Sequence, residues 1–236
     1  LIVTESLSDL KVCDLIIEAI IERLDIKQAL MQQLEEIVPD STILASNTSS
    51  LSVTAIAAQC RIPERVIGYH FFNPVPLMKV VEVIQGLKTD AKHVETMMQL
   101  SHAFGHRAVV AKDTPGFIVN HAGRGYGTEA LRIVSEGVAD FGTIDDILKD
   151  QVGFKLGPFE LMDLTALDVS HPVMESIYHQ YYEEARYRPS VITAQRLAGR
   201  QLGRKTGAGF YSYVDGKAQI APEAPPPQVT DFPPVW

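Results

Sequence analysis

The chain has 236 residues, of which 46% are hydrophobic and 21% charged, a composition typical of folded globular proteins. Its formal net charge of −8 argues against a nucleic-acid-binding surface and against strong attraction to anionic membranes. No apolar run is long enough to predict a membrane span. Cys13 and Cys60 have no metal-ligand spacing, so we expect free thiols, no metal site and a cytoplasmic location.

The first half of the chain alternates short apolar runs with helical patterns. Strands are predicted at residues 15–17, 42–46, 66–70, 80–84 and 107–110. Helices are predicted at residues 25–38, 53–58 and 89–104. Strands that alternate with helices favour an α/β fold with a largely parallel, doubly wound sheet.

The pattern changes after the turn-forming segment 112–116, where the strands stop. Helices are predicted at residues 117–136, 145–151, 159–167 and 172–184. The segment from residue 218 onward is rich in proline. We therefore predict an α/β domain over 1–112, an all-α domain over 113–213 and a Pro-rich tail or linker over 214–236.

A histidine and a glutamate flank the proline-containing loop between two predicted strands. If these strands form a hairpin, His70 and Glu82 become neighbours because they lie about equally far from the turn. A carboxylate that accepts a hydrogen bond from one ring nitrogen fixes the tautomer and leaves the other nitrogen free as a base. The alternative is a structural core histidine with a surface glutamate.

Other polar segments follow predicted strands, where α/β sheets bind ligands. Residues 46–50 (Ser-Asn-Thr-Ser-Ser) follow one strand, although they can equally cap the next helix. Residues 18–22 follow the first strand, with an acidic first helical turn as the alternative. Asn120 lies about one turn into a predicted helix and binds a ligand only if a cleft lies beside it. The Gly-rich segment 203–211 lacks the spacing of a nucleotide P-loop.

Together and in this order, these segments resemble the 3-hydroxyacyl-CoA dehydrogenase family from about residue 14 to residue 213. The most specific match is residues 68–76, Gly-Tyr-His-Phe-Phe-Asn-Pro-Val-Pro, followed by Glu82. Residues 182–190 look most like the bacterial branch that acts in phenylacetate or butanoate-type pathways. The resemblance implies a partial Rossmann-type NAD-binding domain, an α-helical substrate and dimerisation domain, and oxidation of L-3-hydroxyacyl-CoA to 3-ketoacyl-CoA.

The resemblance also implies residue roles. His70 would be the general base that removes the 3-hydroxyl proton, oriented by Glu82. Ser49 and Asn120 would bind the oxygen functions of the substrate, and Asn73 would support the site and the nicotinamide carboxamide. The other positions implied to line the NAD site are Ala19, Glu22, Lys27, Asn47, Ser49 and Lys205. The implied partners are an acyl-CoA substrate and a second copy of the chain in a homodimer.

The sequence departs from the family pattern at three places. His121 stands where the family usually has arginine, and Gly125 stands where it commonly has proline. The family's Gly-x-Gly-x-x-Gly turn, which holds the NAD pyrophosphate, is not in this sequence. We therefore expect that the chain begins inside the family's first domain and that these residues alone bind NAD weakly.

Two other functions stay open from the sequence. A catalytically silent acyl-CoA-binding or dimerisation fragment is favoured by the absence of the glycine turn. Another nicotinamide enzyme, of the β-hydroxyacid type, would use a lysine base from the helical domain, and the His70/Glu82 pair argues against it.

Overall fold

The computed structural model of the protein describes residues 2–220, which fall into two compact units. Within the described residues, the first comprises residues 2–129 and His171–Ser190, and the second comprises Ala130–Ser170 and residues 191–220. The domain boundary after residue 112 stays a prediction. In the structure, the segment that follows it belongs to the same compact unit as the sheet, as far as Glu129. Within the described range, no helix is long and apolar enough to cross a membrane.

The first unit contains a mixed five-stranded sheet whose strand order follows the chain. The strands are β1 (Leu15–Glu18), β2 (Ile43–Ser46), β3 (Val66–Phe71), β4 (Val80–Gln85) and β5 (Arg107–Lys112). β3 and β4 are antiparallel, whereas the other neighbouring pairs are parallel. All five predicted strands and the largely parallel sheet are confirmed.

Helices cover both faces of this sheet. α1 (Leu24–Glu35) and α2 (Val53–Ala57) pack on one face, and α3 (Ala91–Ala103) packs on the other. Because side chains alternate along a strand, successive residues of β2 and β3 enter different cores: Leu44 and Val66 pack with α1 and α2, whereas Ile67 packs with α3. The helices confirm the three predicted in this half.

The helices after the sheet are α4 (Val119–Ala122), α5 (Arg124–Ser135), α6 (Phe141–Asp150), α7 (Pro158–Thr165), α8 (Leu167–Gln180) and α9 (Val191–Ala198). The prediction of one helix over 117–136 was wrong in two respects. The helix starts at Val119, because Phe117 has a left-handed φ of 51°, and it is interrupted at Gly123. α9 was not predicted.

The predicted tail begins with ordered structure. β6 (Ser212–Val214) and β7 (Lys217–Gln219) form an antiparallel hairpin around Asp215 and Gly216, which both have positive φ. The prediction of a linker starting at residue 214 was therefore wrong for this stretch. The prolines of the predicted tail lie in residues 221–236, outside the described residues.

The second unit is organised around a buried aspartate. The carboxylate of Asp163 accepts hydrogen bonds from the main-chain N–H groups of Phe210 (2.9 Å) and Tyr211 (3.0 Å) and from the hydroxyl of Tyr213 (2.9 Å). Because Asp163 is completely buried, these three donors replace the water that its charge would otherwise need. The Gly-rich segment is thereby fastened to α7.

Candidate active site

The antiparallel pairing of β3 with β4 brings the predicted histidine and glutamate together. His70 lies directly opposite Glu82 in the register, and its Nδ1 is 2.7 Å from Glu82 Oε2. Both side chains are buried. The predicted hairpin contact is therefore confirmed, because two residues equally far from a hairpin turn point to the same face of the sheet.

The second oxygen of Glu82 lies at the N-terminal end of α4. Oε1 accepts hydrogen bonds from the main-chain N–H groups of Ile118 and Val119, both at 2.9 Å. The left-handed conformation of Phe117 turns the chain immediately before these groups. Burial alone would raise the pKa of Glu82, but the bonds from His70, Val119 and Ile118 hold it below its usual value. The carboxylate is thus kept ionised beside the imidazole.

The loop after β2 places Ser49 on the other side of His70. The Ser49 hydroxyl is 3.1 Å from His70 Nε2. The helix that follows this loop, α2, packs very closely on the sheet at Gly68. A Cβ at Gly68 would lie 2.7 Å from Val53 of α2 and 2.7 Å from Ile84 of β4, so any larger residue would displace α2.

Asn120 completes the cluster from α4. Its side-chain Nδ2 donates to the main-chain oxygen of Ser49 at 3.3 Å. The four predicted catalytic residues, Ser49, His70, Glu82 and Asn120, therefore form one connected group within the first unit.

A buried lysine holds the segment that follows β1. The Lys27 ammonium donates to both oxygens of Glu18 (2.9 and 2.8 Å) and to the main-chain oxygen of Ile20 (3.3 Å), and it lies 3.6 Å from Glu22. Lys27 is completely buried. Its charge is therefore committed to ordering this segment of the chain.

Glu22 joins the segment after β1 to the loop after β2. Its Oε1 accepts hydrogen bonds from the Thr48 hydroxyl (2.7 Å) and from the N–H groups of Ser49 (2.8 Å) and Ser50 (2.9 Å). Burial would raise the pKa of Glu22, but these three bonds and the charge of Lys27 hold it below its usual value. The carboxylate thus positions Ser49, a role that the sequence did not predict.

The other predicted cofactor residues have different surroundings. Ala19 is exposed directly after β1, and Asn73 is exposed in the loop between β3 and β4. Asn47 lies at the end of β2, where its Oδ1 accepts a hydrogen bond from Phe71 N–H at 2.9 Å. Lys205 belongs to the second unit, where its ammonium pairs with Asp168.

Some residues that shape the site were not found from sequence. The main-chain amides of Ile118 and Val119 carry no side-chain signal, although the Pro115-Gly116 turn before them is a visible breaker. His121 was noted only as a departure from the family. Its Nδ1 lies 2.9 Å from the Tyr181 hydroxyl, so it joins α4 to the segment that follows α8.

The sheet with helices on both faces, carrying a His–Glu pair beside the polar ends of β1 and β2, has the architecture of a Rossmann-type dehydrogenase domain. Residues 1–114 match the NAD binding domain of 3-hydroxyacyl-CoA dehydrogenase, and residues 116–213 match its C-terminal domain. The chain belongs to the 3-hydroxyacyl-CoA dehydrogenase family.

Three relatives illustrate the similarity. A 3-hydroxyadipyl-CoA dehydrogenase from Escherichia coli is 46% identical over 91% of this chain and 46% of its own length. A 3-hydroxybutyryl-CoA dehydrogenase from Clostridioides difficile is 41% identical over 89% of this chain and 74% of its own. The human mitochondrial hydroxyacyl-coenzyme A dehydrogenase is 40% identical over 89% of this chain and 67% of its own.

Solved structures agree with these relatives. A crystal structure of 3-hydroxybutyryl-CoA dehydrogenase from Escherichia coli superposes with a TM-score of 0.88 at 44% identity, over 95% of this chain and 48% of that chain. The (S)-3-hydroxybutyryl-CoA dehydrogenase from Ralstonia eutropha gives a TM-score of 0.86 at 39% identity, over 90% and 75%. The chain spans about half the length of the two Escherichia coli proteins.

Proposed function

We propose that the protein oxidises L-3-hydroxyacyl-CoA to 3-ketoacyl-CoA with NAD. The observation that carries the proposal is the buried pair of His70 and Glu82, 2.7 Å apart, with Ser49 at the opposite ring nitrogen. The names of the relatives include 3-hydroxyadipyl-CoA and 3-hydroxybutyryl-CoA, so we propose a short acyl chain.

In this proposal, Glu82 sets the tautomer of His70. The ionised carboxylate accepts the Nδ1 proton, so the lone pair of the neutral ring lies on Nε2. Nε2 removes the proton from the 3-hydroxyl group as the C3–H bond breaks, and the resulting imidazolium is stabilised by Glu82. NAD, when bound, supplies the acceptor for the hydride that leaves C3.

Ser49 and Asn120 position the substrate. The Ser49 hydroxyl lies 3.1 Å from Nε2, so a substrate hydroxyl that reaches this nitrogen also reaches Ser49. The Asn120 amide donates to the Ser49 carbonyl, and a substrate oxygen can share or replace this acceptor. Two donors near the 3-oxygen would hold it in line with the base, which reduces the entropy lost in reaching the transition state.

The residues at the carboxyl ends of β1 and β2 fit a nicotinamide cofactor. Parallel α/β sheets bind such ligands at this edge. Glu22, Asn47 and Ser49 offer carboxylate, amide and hydroxyl groups that suit ribose hydroxyls and a carboxamide. Ala19 and Asn73, both exposed, would contact the cofactor from the two adjoining loops. Lys27 would act indirectly, through the segment it orders, and a role for Lys205 at the cofactor stays a prediction from the family resemblance.

The test is oxidation of 3-hydroxybutyryl-CoA by the full-length protein, followed at the NADH absorption band. We expect His70→Gln to lower kcat by about 10²- to 10⁴-fold, the usual contribution of a general base. His102→Gln is the matched control, because His102 is exposed on α3. Wild-type-like kcat in His70→Gln would contradict the assignment of the base.

The silent acyl-CoA-binding module remains the second candidate. It predicts acyl-CoA binding by calorimetry without NADH formation. The ionised, fully hydrogen-bonded Glu82 favours the enzyme, because holding a buried carboxylate beside a histidine has no evident use in a passive binding module.

We further propose a homodimer formed through the helical segments, in the cytoplasm. Apolar side chains exposed on the second unit support it, among them Leu161, Leu164 and Val169. Met162, Leu167, Met174 and Ile177 do not contribute to this surface, since each is buried within the chain. Light scattering at micromolar concentration tests the dimer, and free Cys13 and Cys60 are compatible with a reducing compartment.

A further inference from the structure

Arg124 lies one helical turn beyond Asn120. Gly123, where the helix is interrupted, keeps right-handed φ and ψ of −73° and −9°, so these two residues still share a helix face. Arg124 Nε reaches the main-chain oxygen of Asn120 at 3.5 Å. Asn120 contacts Ser49, whose hydroxyl contacts His70. The guanidinium therefore contacts a residue of the candidate active site, within the same unit.

The charge of Arg124 is unmatched in the described part of the chain. Two other arginines that are not fully exposed have clear partners: Arg65 pairs with Glu35, and Arg196 lies over two phenylalanine rings. Arg124 is also partly buried, yet it has neither an acidic partner nor an aromatic ring among residues 2–220. Burial holds the pKa of its guanidinium below the usual value.

A partly desolvated guanidinium without a counter-charge has an unfavourable free energy, and a bound anion would supply the missing counter-charge. Its planar fork binds a carboxylate through two parallel hydrogen bonds. Space is open along this part of the helix, since a Cβ at Gly125 or Gly127 would meet no atom within 4 Å. The net charge of −8 gives no general attraction for anionic substrates, so a local cation is needed to hold one.

We propose that Arg124 determines substrate specificity by binding a free carboxylate at the far end of the acyl chain. The inference rests on the proposed dehydrogenase function and names its substrate class, 3-hydroxyacyl-CoA esters of dicarboxylic acids. Four helical residues span about 6 Å. In a six-carbon diacid, three carbon–carbon bonds of about 1.5 Å separate C3 from the carboxylate, and a hydrogen bond adds about 2.8 Å. The helical span from Asn120 to Arg124 and the reach from C3 through the carboxylate to its hydrogen-bond donor are therefore similar.

The test compares two substrates of equal length in the full-length protein. One is a six-carbon 3-hydroxyacyl-CoA with a terminal carboxylate, and the other is 3-hydroxyhexanoyl-CoA, which ends in a methyl group. The readout is the ratio of their kcat/KM values. In the wild type we expect the diacid to be preferred. Arg124→Met should lower this ratio about 10- to 100-fold, mainly through the KM of the diacid, because the carboxylate takes no part in the reaction.

Two further variants sharpen the comparison. Arg124→Lys keeps the charge but loses the fork, so it should retain part of the preference. Arg132→Met is the matched control, because Arg132 is an exposed residue of the same helix that pairs with Glu136, and it should leave the ratio unchanged.

The outcomes distinguish which anionic group of the substrate Arg124 binds. Equal losses on both substrates would overturn the inference, because Arg124 would then contact a group that both share, such as the CoA phosphates. An unchanged ratio in Arg124→Met would overturn it as well. Absence of turnover with either substrate, in the wild type too, would instead overturn the proposed function on which the inference rests.

Discussion

Replacing Glu82 by glutamine should inactivate the protein by changing the tautomer of His70. The carboxylate accepts three hydrogen bonds, from His70 at 2.7 Å and from the amides of Ile118 and Val119 at 2.9 Å each. A glutamine side chain has one oxygen and one NH₂ group, so it can satisfy only one side as an acceptor. Turning the NH₂ group towards the two amides would leave both of them unsatisfied, at about 1–3 kcal/mol each.

The glutamine oxygen will therefore stay with the two amides, and its NH₂ group will face His70. Nδ1 must then accept a hydrogen bond, which moves the ring proton to Nε2 and removes the base. We expect kcat to fall about 10²- to 10⁴-fold, the range that general base catalysis supplies. Glu95→Gln, an exposed substitution on α3, controls for the change of charge.

Two measurements check this reasoning. Initial rates of NADH formation give kcat, and nitrogen NMR of the His70 ring reports which nitrogen carries the proton. A folded Glu82→Gln protein that keeps the proton on Nδ1, or more than about a tenth of the wild-type kcat, would refute the argument. Circular dichroism establishes that the variant is folded.

Three further predictions concern stability. Because the pKa of Glu82 is below its usual 4.5 in the folded chain, its stabilisation is complete above pH 4.5 and is lost as the pH falls through the folded-state pKa. In urea unfolding at a series of acid pH values, the free energy of unfolding should therefore fall less steeply with decreasing pH in Glu82→Gln than in the wild type. Lys27→Met should lower the free energy of unfolding by about 3–5 kcal/mol, because it leaves the buried carboxylate of Glu18 without its cationic partner. Lys92→Met, at an exposed ion pair, is the control and should not lower it. Asp163→Asn should cost about 1–3 kcal/mol by thermal denaturation, because in either orientation its NH₂ group faces a main-chain N–H, of Phe210 or of Tyr211, that also donates; an unchanged midpoint would contradict this.

The sheet and the catalytic pair were predictable because each depends on a short-range pattern. Apolar runs separated by helical periodicity fix the strands, and equal distance from one turn fixes the pairing of His70 with Glu82. The hairpin of β6 and β7 also had a usable signal that was overlooked. Asp215-Gly216 between alternating residues is a strong two-residue turn, and both residues have the positive φ that this turn requires.

Other parts of the site depend on contacts between distant segments, which no local pattern encodes. Glu22 binds the loop that carries Ser49, 27 residues further along the chain. Glu82 binds the amide of Ile118, 36 residues further along. An amide is present at every residue except proline, so the sequence cannot single out the one that a carboxylate uses. The left-handed turn at Phe117 is equally hidden, because non-glycine residues rarely adopt it.

These distant contacts share one physical effect, which is to fix the polar groups before a ligand arrives. Glu22 fixes the loop of Ser49, and Glu82 fixes His70, each by placing a carboxylate against main-chain amides. Such groups need little rearrangement when charge develops on the substrate oxygen, and this preorganisation is where enzymes gain most over water. Arg124 differs from Glu22 and Glu82 in the number of contacts that hold its charged group. It is ordered by a single long contact with Asn120, so its remaining hydrogen-bonding capacity is left for an anion that the chain itself does not supply within its described residues.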